Sequence, residues 1–412
     1  MKILISAYAC EPGRGAEPGV GWNLVRELSQ KHELWVMTRA DHQDKVFQCG
    51  EKWIDRVHWV FIDPPTWIIF WKKGSRGLYP FYALWQVKAW KTAKRLQTEI
   101  GFDLIHHLTF GQYWVPTPLV KLPPPFVFGP VGGGESTPPG FSRHYSLMGK
   151  IREWVRDSFR RWLPVIPGLR RWYLDADWTM AATRNTEAAL KRIGVSKLEV
   201  LHQSGIGNGD EVEHFWRERT PVTKSAEGIL KIVTACRLVH WKAVDLAIEA
   251  VDRARKAGIP VELEILSDGP EASSLKRLVE KLDLNKVIIF SGRLPKIEDV
   301  FEQVSQADAL IHPALHEAFG QSCLEAMALG TPVICLDWAG PGLIVDKKTG
   351  YAVKPEGREK TIKNLADAIN RCYQDKRERT SKGEDAARRA RTVFSWSGLA
   401  DRINSVYLRV TD

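Results

Sequence analysis

Two glutamates in the second half of the chain have the residue type and spacing needed to hold a sugar. Glu317 lies in a glycine-containing loop, and Glu325 lies eight residues later in an apolar-periodic segment. An ionised carboxylate accepts hydrogen bonds from two hydroxyl groups at once, which suits the diol of a ribose or a hexose. The backbone N–H groups around Gly320, Gln321 and Ser322 form a candidate site for an anion or for sugar hydroxyls.

The segments around this loop predict a strand, a loop, a helix and a second strand. The apolar stretches 309–311 and Val333–Leu336 are short enough for buried strands. Leu324 and Met327 fall at helical spacing, and Gly330 then ends the helix. Ligands of such units bind at the carboxyl ends of the strands, beside the helix N-terminus. Both glutamates therefore lie in a predicted ligand site.

Two cations stand in a corresponding position earlier in the chain. Arg237 and Lys242 flank the loop between a predicted strand at 232–236 and a predicted helix at Val244–Lys256. Two fixed cations at the carboxyl end of a strand can hold a diphosphate and stabilise its charge as it leaves. Paired surface cations without a ligand are the alternative interpretation.

The run E-A-F-G-Q-S-C-L-E-A-M-A-L-G-T-P-V, which begins at Glu317, resembles the signature of retaining family 4 glycosyltransferases, the glycosyl transferases group 1 of GT-B fold. Arg237 and Lys242 resemble the R-L-x-x-x-K phosphate clamp of that family. The usual glycines beside them are Cys236 and Ala243 here, so we expect the loop geometry to differ.

The resemblance implies an α/β protein of GT-B type, with two Rossmann-like parallel-sheet domains facing each other across a cleft. It places an acceptor-side domain at 1–215 and a nucleotide-sugar domain at 225–385. The segment 386–412 is expected to form a C-terminal helix that crosses back to the first domain.

The same resemblance implies metal-independent transfer of a hexose from a nucleotide-diphosphate sugar to a glycan or lipid-linked acceptor with retention of configuration. No cofactor is expected. The pathway expected is cell-surface polysaccharide or glycolipid synthesis. The catalytic residues it implies are Glu317, Arg237, Lys242 and His107. The donor-binding residues it implies are Glu325, Phe319, Gly320, Gln321, Arg293 and Leu294.

Two glycine-rich segments of the first half are predicted to form loops, and the resemblance to the family implies that they lie at the cleft. The first lies between a strand at 2–8 and a helix at 20–28, and it fits neither a dinucleotide fingerprint nor a P-loop. The second follows a strand that begins at Phe126. The predicted cleft-loop residues are Gly15, Gly19, Gly21, Gly133 and Gly134.

Adjacent histidines end the strand predicted at 102–109. Side chains of neighbouring strand residues point to opposite faces, so only one histidine is expected to face the cleft. His107 is favoured over His106, and a purely structural role stays open for either. Asp175 and Asp177 form a D-x-D, but the apolar segment directly after them favours a structural junction over a metal site.

Composition bounds the remaining partners. The chain has 412 residues, enough for two domains, and a net charge of +10, which permits nucleotide phosphates, anionic lipid or nucleic acid as partners. Its six cysteines form no C-x-x-C pair. Cysteines in such a pattern are typical of proteins in a reducing cytoplasm. Apolar runs stay below 18 residues, so no spanning helix is predicted. The expected location is cytoplasmic, with the inner face of a membrane as a possible site.

Tryptophans alternate with basic residues in two segments, 66–95 and 150–173. Three interpretations are open: tryptophans packed inside with basic side chains in water, peripheral contact with an anionic membrane, or nucleic-acid binding, which is the least favoured. For the whole chain, the alternatives are a non-catalytic basic binding protein that has kept the GT-B fold and a GT-B epimerase or phosphorylase.

Overall fold

The structure is a computed structural model that describes residues 1–13, 17–65, 77–115, 117–141, 147–162, 165–203, 205–207 and 228–412. Two compact units are present. The first contains Met1–Gly134, Asp157–Gln203 and Trp396–Asp412, and the second contains Glu135–Arg156 and Ser204–Ser395. Gly15 and the tryptophans of 66–76 lie outside the described residues.

The first unit is built on a seven-stranded parallel sheet of order β3-β2-β1-β4-β5-β6-β7. Its strands are β1 Lys2–Ala7, β2 Glu33–Thr38, β3 Val57–Phe61, β4 Leu104–Thr109, β5 Phe126–Val131, β6 Trp178–Ala181 and β7 Leu198–Val200. The helices in the first half of the chain are α1 Glu17–Leu28, α2 Gln43–Gln48, α3 Leu78–Ile100, α4 Leu147–Trp162, α5 Pro167–Leu174 and α6 Arg184–Ile193. The division between the two units falls within α4, after Arg156. Strands β4 and β5 are buried along their whole length, as expected for a parallel sheet with both faces covered.

The second unit is built on a six-stranded parallel sheet of order β10-β9-β8-β11-β12-β13. Its strands are β8 Leu230–Thr234, β9 Val261–Ile265, β10 Ile288–Phe290, β11 Ala309–His312, β12 Val333–Leu336 and β13 Gly350–Val353. Its helices are α7 Val244–Lys256, α8 Ala272–Lys281, α9 Ile297–Gln306, α10 Gln321–Ala328, α11 Pro341–Ile344, α12 Arg358–Gln374 and α13 Lys376–Val393. The predicted fold class of two Rossmann-like parallel-sheet domains is confirmed.

The last helix, α14 Trp396–Thr411, belongs to the first unit. Tyr407 on α14 is fully buried, and its hydroxyl lies 2.5 Å from Nδ1 of His106 on β4. His32, which follows α1, lies with Nε2 2.8 Å from the side-chain oxygen of Asn404. Helix α14 is therefore part of the core of this unit. None of the helices in the described residues is long and apolar enough to cross a bilayer.

Helix α1 begins earlier than the sequence predicted. It starts at Glu17, so Gly19 and Gly21 lie in its first turns and the prediction that they belong to a loop is wrong. An acidic residue and a proline at the N-terminus favour this earlier start. A Cβ on Gly21 would lie 2.3 Å from the carbonyl oxygen of Ala9, so glycine is required for the close approach of α1 to the end of β1.

Candidate active site

The site predicted in the second half lies where the strand order of the second sheet reverses. Strand β8 has β9 on one side and β11 on the other, with Ile232 paired to Ala309 and Val233 to Leu310. Ligands of open parallel sheets bind at the carboxyl ends of the strands at such a switch point. The loops after β8 and β11 are directly connected, because Leu315 N–H donates to the carbonyl oxygen of Trp241 at 2.9 Å.

These two loops bring Lys242 and Glu317 together. Nζ of Lys242 donates a hydrogen bond to Oε2 of Glu317, and the side chains are only 17% and 14% exposed. Burial lowers the pKa of Lys242, because desolvation disfavours its charged form. The paired carboxylate acts in the opposite sense and favours the ammonium ion. The sequence prediction that both residues belong to one site agrees with this contact, while their roles in the reaction stay predictions.

His312, the last residue of β11, is part of the same cluster and was missed by the sequence analysis. Its ring is buried, with Nε2 3.6 Å from Oε2 of Glu317 and Nδ1 3.4 Å from the hydroxyl of Ser322. Burial, assisted by the nearby charge of Lys242, holds the pKa of His312 well below its usual range, so the ring is neutral. The sequence signal that could have identified His312 as a site residue was its position as a polar residue at the carboxyl end of an apolar strand.

Lys242 ends a single turn of 3-10 helix, His240–Lys242, and Ala243 follows it in the left-handed conformation with φ 49° and ψ 43°. Ala243 is 3% exposed and directly precedes α7. The backbone at Ala243 therefore has a conformation that glycine adopts more easily than alanine. Glycine is the usual residue at this position in the family that the sequence resembles. An L-residue with a Cβ pays about 1–2 kcal/mol for this conformation.

Replacing Ala243 by glycine is expected to stabilise the second unit. Relief of the left-handed strain exceeds the added entropy of the unfolded chain, leaving a net gain of about 0.5–1 kcal/mol. Thermal unfolding of Ala243→Gly is the measurement. Ala257→Gly is the matched control, because Ala257 directly follows α7 at a negative φ of −85° and its replacement lowers stability. Equal changes in the two variants would contradict the argument.

Arg237 lies at the start of the same loop with its side chain exposed. The loop is fixed by the S-D-G-P turn after β9. Leu238 N–H donates to the carbonyl oxygen of Asp268 at 3.1 Å, and Glu271 N–H donates to that of Leu238 at 3.0 Å. A Cβ on Gly269 would lie 2.4 Å from the carbonyl oxygen of Leu238. Gly269 is therefore required for the turn to pack on the loop that carries both cations.

The loop that carries Glu317 leads into the N-terminus of α10. Gly320 precedes the helix in the left-handed conformation, with φ 64°, and a Cβ there would lie 3.0 Å from Cδ1 of Ile344. The first backbone N–H groups of a helix have no partner within it, and they carry partial positive charge. The N–H groups of Gln321 and Ser322 can therefore serve an oxyanion or a hydroxyl. Gly340 N–H donates to the carbonyl oxygen of Glu317 at 2.8 Å and anchors this loop.

The remaining predicted donor-binding residues lie on elements of the same unit. Glu325 is half-buried on α10, and Phe319 is half-buried just before that helix. Arg293 is exposed and Leu294 is half-buried in the turn after β10. The assignment of ribose and nucleobase contacts to these residues remains a prediction.

In the first unit, both histidines of β4 are buried and point to opposite faces, as predicted from strand alternation. His106 contacts Tyr407 and the carbonyl oxygen of Gly129, while Nε2 of His107 lies 3.2 Å from the hydroxyl of Tyr82. Burial lowers the pKa of His106 to about 4 and that of His107 to about 3, so both are neutral at physiological pH. A catalytic role for His107 stays a prediction.

The second predicted cleft loop follows β5 and is tightly packed. A Cβ on Gly133 would lie 2.4 Å from Oε1 of Gln112, and one on Gly134 would lie 2.4 Å from Cα of Thr186. At Gly134 the close neighbour is backbone, so packing requires glycine there. At Gly133 the neighbour is the end of a flexible side chain, and glycine is favoured by the backbone φ of +94°. Near the start of β6, Oδ2 of Asp177 accepts a hydrogen bond from the N–H of Phe126 at 2.8 Å, so this carboxylate of the D-x-D has a structural partner.

Comparison with known proteins points to one family. Residues 217–389 match the family model described as glycosyl transferases group 1. The chain is 26% identical over 267 residues to glycogen synthase of Mycobacterium tuberculosis strain CDC 1551. The aligned residues cover 64% of this chain and 61% of that protein. It is 28% identical over 186 residues to the gpi3 subunit of phosphatidylinositol N-acetylglucosaminyltransferase of Schizosaccharomyces pombe, which covers 45% of this chain and 39% of that protein. The matches thus span less than two thirds of either relative.

The fold is shared with a solved protein over nearly its whole length. The crystal structure of Anabaena HepE in complex with UDP superposes with a TM-score of 0.63 and 17% identity, covering 99% of this chain and 100% of that one. The predicted GT-B fold and the resemblance to group 1 glycosyltransferases are confirmed. Arg237, Lys242, Glu317 and Glu325 all fall inside the matched segment.

Proposed function

Because the chain carries a glycosyl transferases group 1 domain on a GT-B fold, we propose that it is a retaining hexosyltransferase. It moves a sugar from a nucleotide-diphosphate sugar to a glycan or lipid-linked acceptor. The observation that carries this proposal is the enclosed pair of Lys242 and Glu317 at the switch point of the second sheet. A cation for a phosphate and a carboxylate for sugar hydroxyls are thereby held side by side.

The proposed roles follow from charge and position. Arg237 and Lys242 bind the diphosphate and stabilise its negative charge as it leaves. Glu317 accepts hydrogen bonds from sugar hydroxyls beside the anomeric carbon, and Glu325 accepts them from the ribose. The N–H groups at Gly320 and Gln321 add contacts to the sugar. His312 is neutral and lies against Glu317, so it holds the position of that carboxylate without adding charge.

We further propose that transfer proceeds with retention and needs no metal. Retention then arises from attack on the face that the leaving group departs from, with the leaving phosphate accepting the proton of the acceptor hydroxyl. Cationic side chains replace a divalent ion at the diphosphate. The anomeric configuration of the product, measured by NMR on the first-formed linkage, tests this mechanism. An inverted product would contradict it.

The acceptor is proposed to belong to cell-surface polysaccharide or glycolipid synthesis on the cytoplasmic side, with the enzyme at an anionic membrane. The relative named as a phosphatidylinositol N-acetylglucosaminyltransferase subunit supports a lipid-linked acceptor. The six free cysteines are consistent with a reducing compartment. Product analysis with and without acceptor lipids separates transfer from epimerisation or phosphorolysis.

A thermal-shift panel of UDP, GDP, ADP and their common sugars is the direct test of the donor site. One nucleotide family is expected to stabilise the protein by about 2.7 kcal/mol at 100 times its dissociation constant. EDTA is expected to leave this shift unchanged. Lys242→Ala is expected to remove most of it, while Lys363→Ala, an exposed lysine on α12, keeps it in full. Absence of a shift with every nucleotide would favour a binding protein without turnover.

A further inference from the structure

Three charged residues of helix α4 are turned inward. The side chains of Glu153, Arg156 and Arg160 are only 13%, 22% and 8% exposed. Glu153 accepts a hydrogen bond from the hydroxyl of Thr137 at 3.3 Å and pairs with Arg156. A surface helix of a globular protein ordinarily buries its apolar stripe and exposes its charges. In α4 this polarity is reversed.

The outward face of the helix is correspondingly apolar. Its exposed large side chains, with their exposed fractions, are Ile151 (47%), Trp154 (71%), Val155 (39%), Phe159 (54%) and Trp162 (70%). At 3.6 residues per turn these five positions fall within an arc of about 140°, so they form one continuous stripe. This stripe is the α4 apolar face. Exposed apolar side chains clustered in this way mark an interaction surface.

Basic side chains border this face. Lys150 and Arg161 are exposed and lie beside Trp154 on the helical wheel. Residues 147–174 contain seven lysines and arginines against two acidic residues. The surface thus combines an apolar stripe, two tryptophans and a cationic border, which is the composition of a helix that lies in a membrane interface.

We propose that the α4 apolar face is a docking surface for an anionic lipid bilayer. The helix lies in the plane of the interface, with the apolar face at the boundary of headgroups and acyl chains. Lys150 and Arg161 lie at the level of the lipid phosphates. The inference deepens the proposed function and rests on it only for the nature of the acceptor, since docking itself needs no turnover.

Membrane docking explains the face better than the other occupants. Nucleic acid offers phosphates and stacked bases but no partner for a stripe that includes Ile151, Val155 and Phe159. A second copy of the chain would bring the same basic border against itself, and like charges in contact are unfavourable. A bilayer with acidic headgroups satisfies the apolar stripe and the cationic border at the same time.

The inner side of α4 places this surface next to the candidate active site. Oε1 of Glu153 lies 3.9 Å from Nε2 of His240, two residues before Lys242. Both residues belong to the second unit. A helix that docks on lipid through its outer face and contacts this loop through its inner face is suited to an enzyme whose acceptor is attached to lipid.

The test is co-sedimentation of the full chain with vesicles of phosphatidylcholine alone or with 30% phosphatidylglycerol added. The expected result is strong binding to the anionic vesicles only, weakened by salt. Trp154→Gln/Trp162→Gln is expected to reduce the partition coefficient at least tenfold. Lys150→Gln/Arg161→Gln is expected to reduce it about 30-fold, at about 1 kcal/mol for each basic residue.

Matched controls are Phe47→Gln/Leu408→Gln, two exposed apolar residues elsewhere, and Lys281→Gln/Lys363→Gln, two exposed lysines of the second unit. Both controls are expected to bind like the original chain. All variants are expected to keep the thermal shift with nucleotide, which separates failure of docking from failure of the proposed function. Equal binding by Trp154→Gln/Trp162→Gln and the original chain would overturn the proposal. The proposal would also be overturned if the chain dimerised without lipid and the same substitutions abolished the dimer. Binding to nucleic acid with no binding to vesicles would overturn it as well.

Discussion

Replacing Lys242 by alanine is expected to lower kcat/KM for transfer by about two to three orders of magnitude. The ammonium group is enclosed beside Glu317 at the carboxyl end of β8, where it meets charge that develops on the leaving diphosphate. Removing one such donor from an enclosed site costs on the order of 2.7–4 kcal/mol of transition-state stabilisation. Steady-state kinetics with the donor found in the thermal-shift panel measure the effect.

Two further variants show whether the loss belongs to this position. Lys242→Arg keeps the charge, but its planar guanidinium has a different shape from the ammonium ion, so it is expected to recover only part of the rate. Lys363→Ala removes an exposed lysine from α12 and is expected to retain full activity. A Lys242→Ala enzyme within threefold of the original rate would show that the lysine has no part in phosphate stabilisation.

The donor-side half of the fold was predictable because its signals are local. Helix α7 and strand β12 begin and end where their apolar spacing and their glycine, proline and charged neighbours predict. Alternation of strands and helices fixes a parallel sheet, and a parallel sheet brings the carboxyl ends of its strands to one edge. The loops that carry Lys242 and Glu317 were therefore expected to lie close together.

The details that were not predictable depend on packing. Gly19 and Gly21 were assigned to a loop because glycine allows a positive φ and the close approach of a ligand, but in α1 the absent side chain of Gly21 serves close packing against Ala9 instead. His312 was missed because its contact with Glu317 joins residues on different elements. The alternation of side chains along a strand predicts that His106 and His107 lie on opposite faces of the sheet. The burial of both side chains depends on the helices that cover those faces.

The polarity of α4 shows a further limit of sequence reasoning. The spacing of Ile151, Val155 and Trp162 predicts an amphipathic helix equally well whether its apolar side faces the core or the outside. Only the tertiary structure shows that Glu153 and Arg160 are on the inner side. Trp154 and Trp162 are 71% and 70% exposed, so the packed-inside interpretation is wrong for these two side chains. Membrane contact and nucleic-acid binding are then separated by the vesicle experiment.

Replacing Glu317 by glutamine is expected to lower kcat by about 100-fold while leaving nucleotide affinity nearly unchanged. The amide keeps the size of the side chain but loses the charge that orients sugar hydroxyls and pairs with Lys242. Interactions made to the reacting sugar appear in kcat, whereas those made equally in ground and transition states appear in KM. The thermal shift with the nucleoside diphosphate alone should therefore persist in Glu317→Gln, and the increment added by the sugar should disappear.

Glu325→Gln is the matched comparison, because the same chemical change eight residues later falls on the proposed ribose contact. It is expected to weaken nucleotide binding and raise KM with little change in kcat. A double-mutant cycle between Glu317→Gln and Lys242→Ala then measures the coupling of the enclosed pair, and we expect the two losses to be less than additive. Strict additivity, or reversed effects of the two glutamine variants, would show that the carboxylates do not divide sugar and ribose between them.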